Sequence, residues 1–204
     1  MFIKLFKVLR KVKTILSLKL GTLVTKIYLR LNGATINSLI STGIPYIYVA
    51  RYGKLKIGEN AVLNNTYLTC ESGFASKCRL KISNNAHLII GNCVGMSGVC
   101  ISCTKSIIIG NHVMLGIGTH IYDTDFHSLN MKDRLTPQTD LANTNSKPVI
   151  IGNNAFIGAH SIILKGVEIG ENTIVAAGSV VTKSIPANVI AGGNPCVVIR
   201  NINS

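Results

Sequence analysis

Residues 149–183 read VIIGNNAFIGAHSIILKGVEIGENTIVAAGSVVTK, and within them Ile151, Ile157, Ile163, Ile169, Val175 and Val181 stand six residues apart. A period of six fits neither an amphipathic helix nor a long alternating strand. It does fit a β-helix whose coils have three short sides, each supplying one inward aliphatic residue and one turn. Working outward, an isoleucine followed by glycine and a short polar pair occurs five times: Ile57-Gly58-Glu59-Asn60, Ile90-Gly91-Asn92-Cys93, Ile109-Gly110-Asn111-His112, Ile151-Gly152-Asn153-Asn154 and Ile169-Gly170-Glu171-Asn172. Gly, Asn and small residues suit the corners because they tolerate left-handed or tightly bent backbone. The pattern predicts an all-β solenoid.

A chain of 204 residues is expected to hold one core with an appendage. Three hexapeptides make a coil of about eighteen residues, so the repetitive stretch stacks roughly five to seven coils. The expected organisation is a basic amphipathic helical segment over 1–52, a β-helix over 53–183 with an inserted loop at 122–148, and a C-terminal arm over 184–204. Within the first segment, residues 1 to about 31 read as helix, with Phe2, Leu5, Leu9, Val12 and Leu16 on one face and Lys4, Lys7 and Lys11 on another. From Asn32 to Arg51 the chain reads as irregular, punctuated by Gly33, Gly43 and Pro45.

The chain has 21 Lys and Arg against 8 Asp and Glu, a formal charge of +13. Eleven of the cations precede Glu59, the first acidic residue. Two readings of the N-terminal helix follow: residues 1–20 lie on an anionic membrane surface, or the helix packs on the solenoid or a partner with its lysines solvated. Nucleic acid as a partner rests on charge alone, with no aromatic platform or motif beside it, and is set aside. The uncharged run from Leu31 to Ala50 contains Asn32, Asn37, Ser41 and Pro45, a poor spanning helix. The lysines before it break any apolar core of the kind a secretory signal needs. Of the six cysteines, Cys70, Cys78, Cys93, Cys100, Cys103 and Cys196, only Cys100 and Cys103 form a CxxC. They read as reduced, packed thiols in a cytoplasmic protein, with no metal site.

The repeat lapses between Tyr122 and Pro148, although Ile121 and Ile151 remain thirty residues apart, a multiple of six. Long loops inside repetitive scaffolds tend to carry function. This one contains Asp123-Thr124-Asp125-Phe126-His127-Ser128-Leu129-Asn130. Histidine can take a proton near neutral pH, and a carboxylate nearby can fix its tautomer. Asp123 and Asp125 stand close enough in sequence for either to orient His127, and on these residues alone a solvated loop histidine is the ordinary alternative.

The stretch from Lys147 to Arg200, KPVIIGNNAFIGAHSIILKGVEIGENTIVAAGSVVTKSIPANVIAGGNPCVVIR, resembles the C-terminal half of the hexapeptide-repeat acyltransferases. The preceding IIIGNHVMLGIGTHIYDTDFHSLN, Ile107 to Asn130, resembles the branch with the maltose, galactoside and bacterial surface-polysaccharide O-acetyltransferases. The resemblance implies a left-handed parallel β-helix, a homotrimer with active sites between subunits, acetyl-CoA as donor without a required metal, and a carbohydrate acceptor. It implies that His127 is the general base; by their closeness to it in sequence, Asp125 is taken as the carboxylate partner and Asp123 as an acceptor contact. It gives Ala159 as the oxyanion donor through its N–H, and Ala159, Ala177, Thr182, Lys183 and Arg200 as the acetyl-CoA groove. The Gly192-Gly193-Asn194-Pro195 turn reads as structural, bringing Arg200 inward.

The chain departs from that pattern in two places. Where simple-sugar acetyltransferases carry an acceptor-contacting asparagine, Met96 stands with Ser97 beside it, which makes Ser97 an acceptor candidate and shifts the expected substrate from small sugars toward a surface polysaccharide or its precursor. Val197 replaces an arginine of the family. Alternatives are an acetyltransferase for a small sugar, nucleotide sugar or amino acid, a non-catalytic scaffold, and a zinc enzyme of the γ-carbonic anhydrase kind drawing on His87, His112, His120, His127 and His160. The last lacks the required histidine interval, because His112 and His120 lie eight apart.

Overall fold

A computed structural model describes residues 2–66 and 77–202. The isoleucines of the repeated signature stack in a single column: Ile36, Ile57, Ile90, Ile109, Ile151 and Ile169 pair in parallel register, and Ile185 extends the column by a bridge. Two further columns complete the core. One runs Leu63, Met96, Leu115, Ile157, Val175, Ala191, and the other Ile47, Leu80, Ile101, Ile121, Ile163, Val181. All of these but Ile36 are buried. Each strand therefore offers alternate residues to one narrow aliphatic stack, which suits branched side chains.

The columns belong to three faces of a left-handed parallel β-helix. The first face has six strands, from Thr35–Ile36 to Glu168–Ile169; the third has six, from Tyr46–Val49 to Val180–Val181. The second has eight: seven parallel strands from Leu39–Thr42 to Val189–Gly192, and an eighth, Val197–Asn201, which turns back antiparallel. The solenoid thus begins at Thr35 and not at residue 53. The stretch expected to be irregular is the first coil, its Gly33 and Gly43 serving as left-handed corners. At the other end the coils run past Lys183 to Gly192.

The corner between the first and second faces shows why the signature is Ile-Gly-polar-polar. The left-handed residue is its fourth member, Asn60, Cys93, His112, Asn154 and Asn172, with φ between 55° and 59°. The glycine answers a different need. A Cβ on Gly91 would lie 2.6 Å from the carbonyl oxygen of Gly110 in the next coil, closer than packed atoms allow. The asparagine at the third position links the coils, because Asn111 Oδ1 accepts from Asn92 N–H and Asn153 Oδ1 from Asn111 N–H, both at 2.8 Å.

Helix α1 spans Phe2–Leu31. Its buried residues are Gly21, Thr25 and Leu29, the stripe by which it covers the edge of the first coil at Leu39–Thr42. Thr22 Oγ1 accepts from Ser41 N–H at 2.9 Å, and Thr25 Oγ1 donates to Gly43 O at 3.2 Å. Solenoids need such a terminal cover over unpaired strand edges. Among the cysteines, Cys78, Cys103 and Cys196 are buried free thiols, Cys93 is exposed, and Cys70 lies outside the described residues.

Candidate active site

The interruption after the strand His120–Tyr122 is a closed excursion. Its two limbs meet at an antiparallel neck, where Thr124 bridges Ser146, Asp125 N–H donates to Asn145 O at 3.1 Å and Lys147 N–H donates to Asp123 O at 2.9 Å. Beyond the neck lie a 3-10 turn, Asp133–Leu135, and helix α2, Pro137–Asn143. Thr136 caps α2 by accepting from Thr139 N–H, and Pro137 occupies its first turn, where its fixed φ and missing donor cost nothing. The chain then re-enters the first face with Ile109 paired to Ile151, so the stacking phase survives the insertion.

Within the loop, His127 Nδ1 lies 2.6 Å from Asp140 Oδ2, and Asp140 Oδ1 accepts from Ser128 N–H at 2.6 Å. The His127 hydrogen bond, reinforced by the Ser128 N–H and the nearby Arg134, holds the Asp140 carboxyl below the usual carboxylate range. An ionised carboxylate only accepts, so the neutral imidazole of His127 carries its proton on Nδ1 and its lone pair on Nε2. The histidine side chain is 70% exposed while Asp140 is 16% exposed. A sheltered carboxylate thus orients an accessible imidazole. Around the pair, Ser128 Oγ donates to Asp133 Oδ2 at 2.8 Å and Arg134 Nη1 donates to Ser128 O at 2.6 Å. Phe126, at φ 64°, packs edge-on to Tyr122 with centroids 5.1 Å apart.

The two aspartates expected beside His127 do other work. Asp125 faces Lys165, with Oδ1 2.8 Å from Nζ, while its Oδ2 is buried without a partner among the described residues. The neck turns it toward the coil as the chain climbs to His127. Asp123 is fully buried and its carboxylate accepts four hydrogen bonds, from Thr104 N–H and Oγ1, Lys105 N–H and Ser106 N–H, at 2.7 to 2.8 Å. It staples the corner beneath the loop and has no oxygen left for an acceptor. Its charge, after burial itself, helps push the Cys103 thiol up to about 12.

Ala159 and Ala177 stack on the corner between the second and third faces, each beside a glycine of the coil below. A Cβ on Gly116 would lie 2.6 Å from Ala159 N, and one on Gly158 would lie 2.4 Å from Ala177 N. Neither alanine N–H has an acceptor among the described residues, so both are available to a carbonyl or amide oxygen. Thr182 and Lys183 are exposed at the corner between the third and first faces, one coil beyond Lys165. Arg200 is exposed on Val197–Asn201 and donates to the carbonyl oxygens of Asn201 and Ile202; within one chain the turn does not bring it inward. The five groove candidates therefore do not converge on one corner.

Met96 points into the core, and Ser97 lies on the outer surface of the second face, where its Oγ accepts from Asn64 Nδ2 at 3.1 Å. Register had to be known before Asn64 could be placed beside it. The histidines are dispersed: His87 is on the first face, His120 on the third, and His112 and His160 at separate corners. Among the described residues no three His, Cys, Asp or Glu side chains gather as a metal site would require.

A family profile, the hexapeptide repeat of succinyl-transferase, matches residues 148–183. The galactoside O-acetyltransferase of Escherichia coli K12 is 59% identical over 58 residues, 28% of this chain and 29% of that protein. A putative acetyltransferase of Saccharomyces cerevisiae, YJL218W, is 33% identical over 145 residues, 71% of each chain. Among solved structures, a galactoside acetyltransferase in complex with coenzyme A superposes with a TM-score of 0.53 at 28% identity, over 83% of this chain and 64% of that one. The matched stretches span between about a third and a half of the length of the first curated relatives. With its coils, its corner glycines and its similarity to YJL218W over most of both chains, the protein belongs to the hexapeptide-repeat acetyltransferase family.

Proposed function

We propose that the protein transfers the acetyl group of acetyl-CoA to a sugar hydroxyl, with His127 as general base. The observation that carries this reading is the pairing of exposed His127 with sheltered Asp140. Asp140 holds the Nδ1 proton, so Nε2 accepts the proton of an acceptor hydroxyl as its oxygen bonds to the acetyl carbonyl carbon. The carbon–sulfur bond then breaks, and His127 returns the proton to the departing sulfur. Acetyl-CoA supplies the activated thioester. The free N–H of Ala159 is the donor we assign to the carbonyl oxygen as it gains charge.

Ala177, Thr182, Lys183 and Arg200 complete the proposed coenzyme groove, the cations serving its phosphates. Because these residues occupy different corners of one prism, we assign the protein to a homotrimer in which neighbouring chains bring unlike corners together. Ser97, with Asn64 beside it, is the proposed acceptor contact. A core Met96 in place of a polar sugar contact favours a polysaccharide or its lipid-linked precursor, handled in the cytoplasm at the inner face of the membrane.

The test is His127→Ala in the full chain, assayed with labelled acetyl-CoA against a panel of sugars, nucleotide sugars and surface glycans. Turnover should fall by about two powers of ten or more with coenzyme binding retained. Turnover near that of the unmodified protein removes His127 from the mechanism.

A further inference from the structure

The solenoid uses one side of α1 and leaves the apolar side uncovered. At about 100° per residue, the docked stripe of Gly21, Thr25 and Leu29 lies roughly opposite an arc formed by Leu5, Leu9, Leu16, Leu20, Leu23 and Ile27. These six residues are 49–62% exposed. The arc runs the whole helix, including the half that is docked. Its docking is also fixed tightly, since a Cβ on Gly21 would lie 2.6 Å from Gly43 N and 2.8 Å from Ser41 O. The outward direction of the arc is therefore set relative to the coils.

The charges identify what covers it. Lys4, Lys7 and Lys11 lie on the side away from the arc, Lys13, Lys19 and Lys26 flank it, and α1 contains no acidic residue. A second copy of this helix would meet the arc with like charge. No helix among the described residues is long and apolar enough to cross a membrane. An apolar arc edged by cations whose stems can lie along it suits the boundary between headgroups and acyl chains. Exposed Ile40 and a crevice lined by Leu18, Thr22 and Leu23 continue the apolar surface onto the first coil.

We infer that α1 lies flat on an anionic lipid bilayer along its full length, from Phe2 to Leu31, and that its Gly21 docking holds the first coil against that surface. This stands independently of the transferase reading. It is tested by co-sedimenting the full chain with phosphatidylcholine vesicles, either pure or with about a third phosphatidylglycerol, in about 0.1 M salt, while light scattering measures the mass of the free protein. Binding to the anionic vesicles should exceed binding to the neutral ones at least about tenfold. It should fall at least about tenfold in Leu9→Asp/Leu23→Asp, which places one change on each half of the helix, with mass and thermal midpoint unchanged. Lys13→Gln/Lys19→Gln/Lys26→Gln, which removes the cations edging the arc, should abolish most of the anionic preference. Failure of the unmodified chain to sediment, undiminished binding by the double Asp variant, or a smaller particle mass in that variant overturns the inference, the last because it would make the arc a contact between copies.

Discussion

His127 Nδ1 meets Asp140 Oδ2 at 2.6 Å across thirteen residues of sequence, whereas Asp125, only two residues from the histidine, faces Lys165 instead. Removal of Asp140 should therefore impair the base and removal of Asp125 should not do so directly. Asp140→Ala is expected to lower kcat by about ten- to a hundredfold with little change in the KM for acetyl-CoA. Asp125→Asn is expected to stay within about threefold. Steady-state kinetics on the two variants check the assignment; equal losses would show that the neck, not the pair, matters.

The same pair sets a pH dependence for the loop. The Asp140 carboxyl is held below its ordinary value by the His127 and Ser128 bonds, so its contribution to order is present above that value, near 4, and is lost as pH falls through the lower, folded one. Hydrogen exchange at Ser128 N–H should accordingly show constant protection between about pH 5 and 7, after correction for the intrinsic rate, and loosening only in strong acid.

Asp123 makes a different kind of demand. Replacing it with Ala would orphan the N–H groups of Thr104, Lys105 and Ser106 at one corner. The expected cost is about 3 kcal/mol, the scale for breaking a buried charged hydrogen-bond set, read as a lowered denaturant midpoint. A variant as stable as the parent would leave the carboxylate free for some other role.

The thiols should react unequally. Burial pushes Cys78 up to about 11, and burial with Asp123 pushes Cys103 up to about 12, so neither supplies thiolate at pH 8. Cys93 is exposed at its corner. Brief iodoacetamide treatment of the native chain followed by peptide mass analysis should find Cys93 modified well before Cys78 or Cys103.

A methyl group at Gly116 would strike backbone atoms of the next coil, Ala159 N at 2.6 Å and Gly158 C at 2.8 Å. Gly116→Ala should lower the thermal midpoint by several degrees, as for an overpacked site of about 1 to 3 kcal/mol. It should also reduce turnover by disturbing the Ala159 N–H. Calorimetry and the transfer assay read the two effects separately.

The coils were legible because their cause is local and repeated: every sixth residue meets the same core, so one column of Ile and Val announces the next. The start at Thr35 was hidden because the first coil lacks the Ile-Gly signature, its edge being covered by α1. From sequence the signature glycine reads as a residue for left-handed or tightly bent backbone. Its reason is the close approach of stacked coils, a distance that exists only between residues sixteen or more positions apart, such as Gly91 and Gly110. His127 stood out as chemistry inside the lapse, but Asp140 did not. Thr136-Pro137 marks a helix start within reach of it, yet only closure of the neck brings that helix back to the histidine.

That neck has a consequence for how such a protein can change. Because Thr124 and Ser146 close the excursion before the chain re-enters at Ile151 in its old register, the coils above and below are indifferent to what lies between, each coil contacting only its neighbours. Residues 126–144 behave as a cassette. That segment can be lengthened, shortened or recharged while the scaffold that carries it keeps its register.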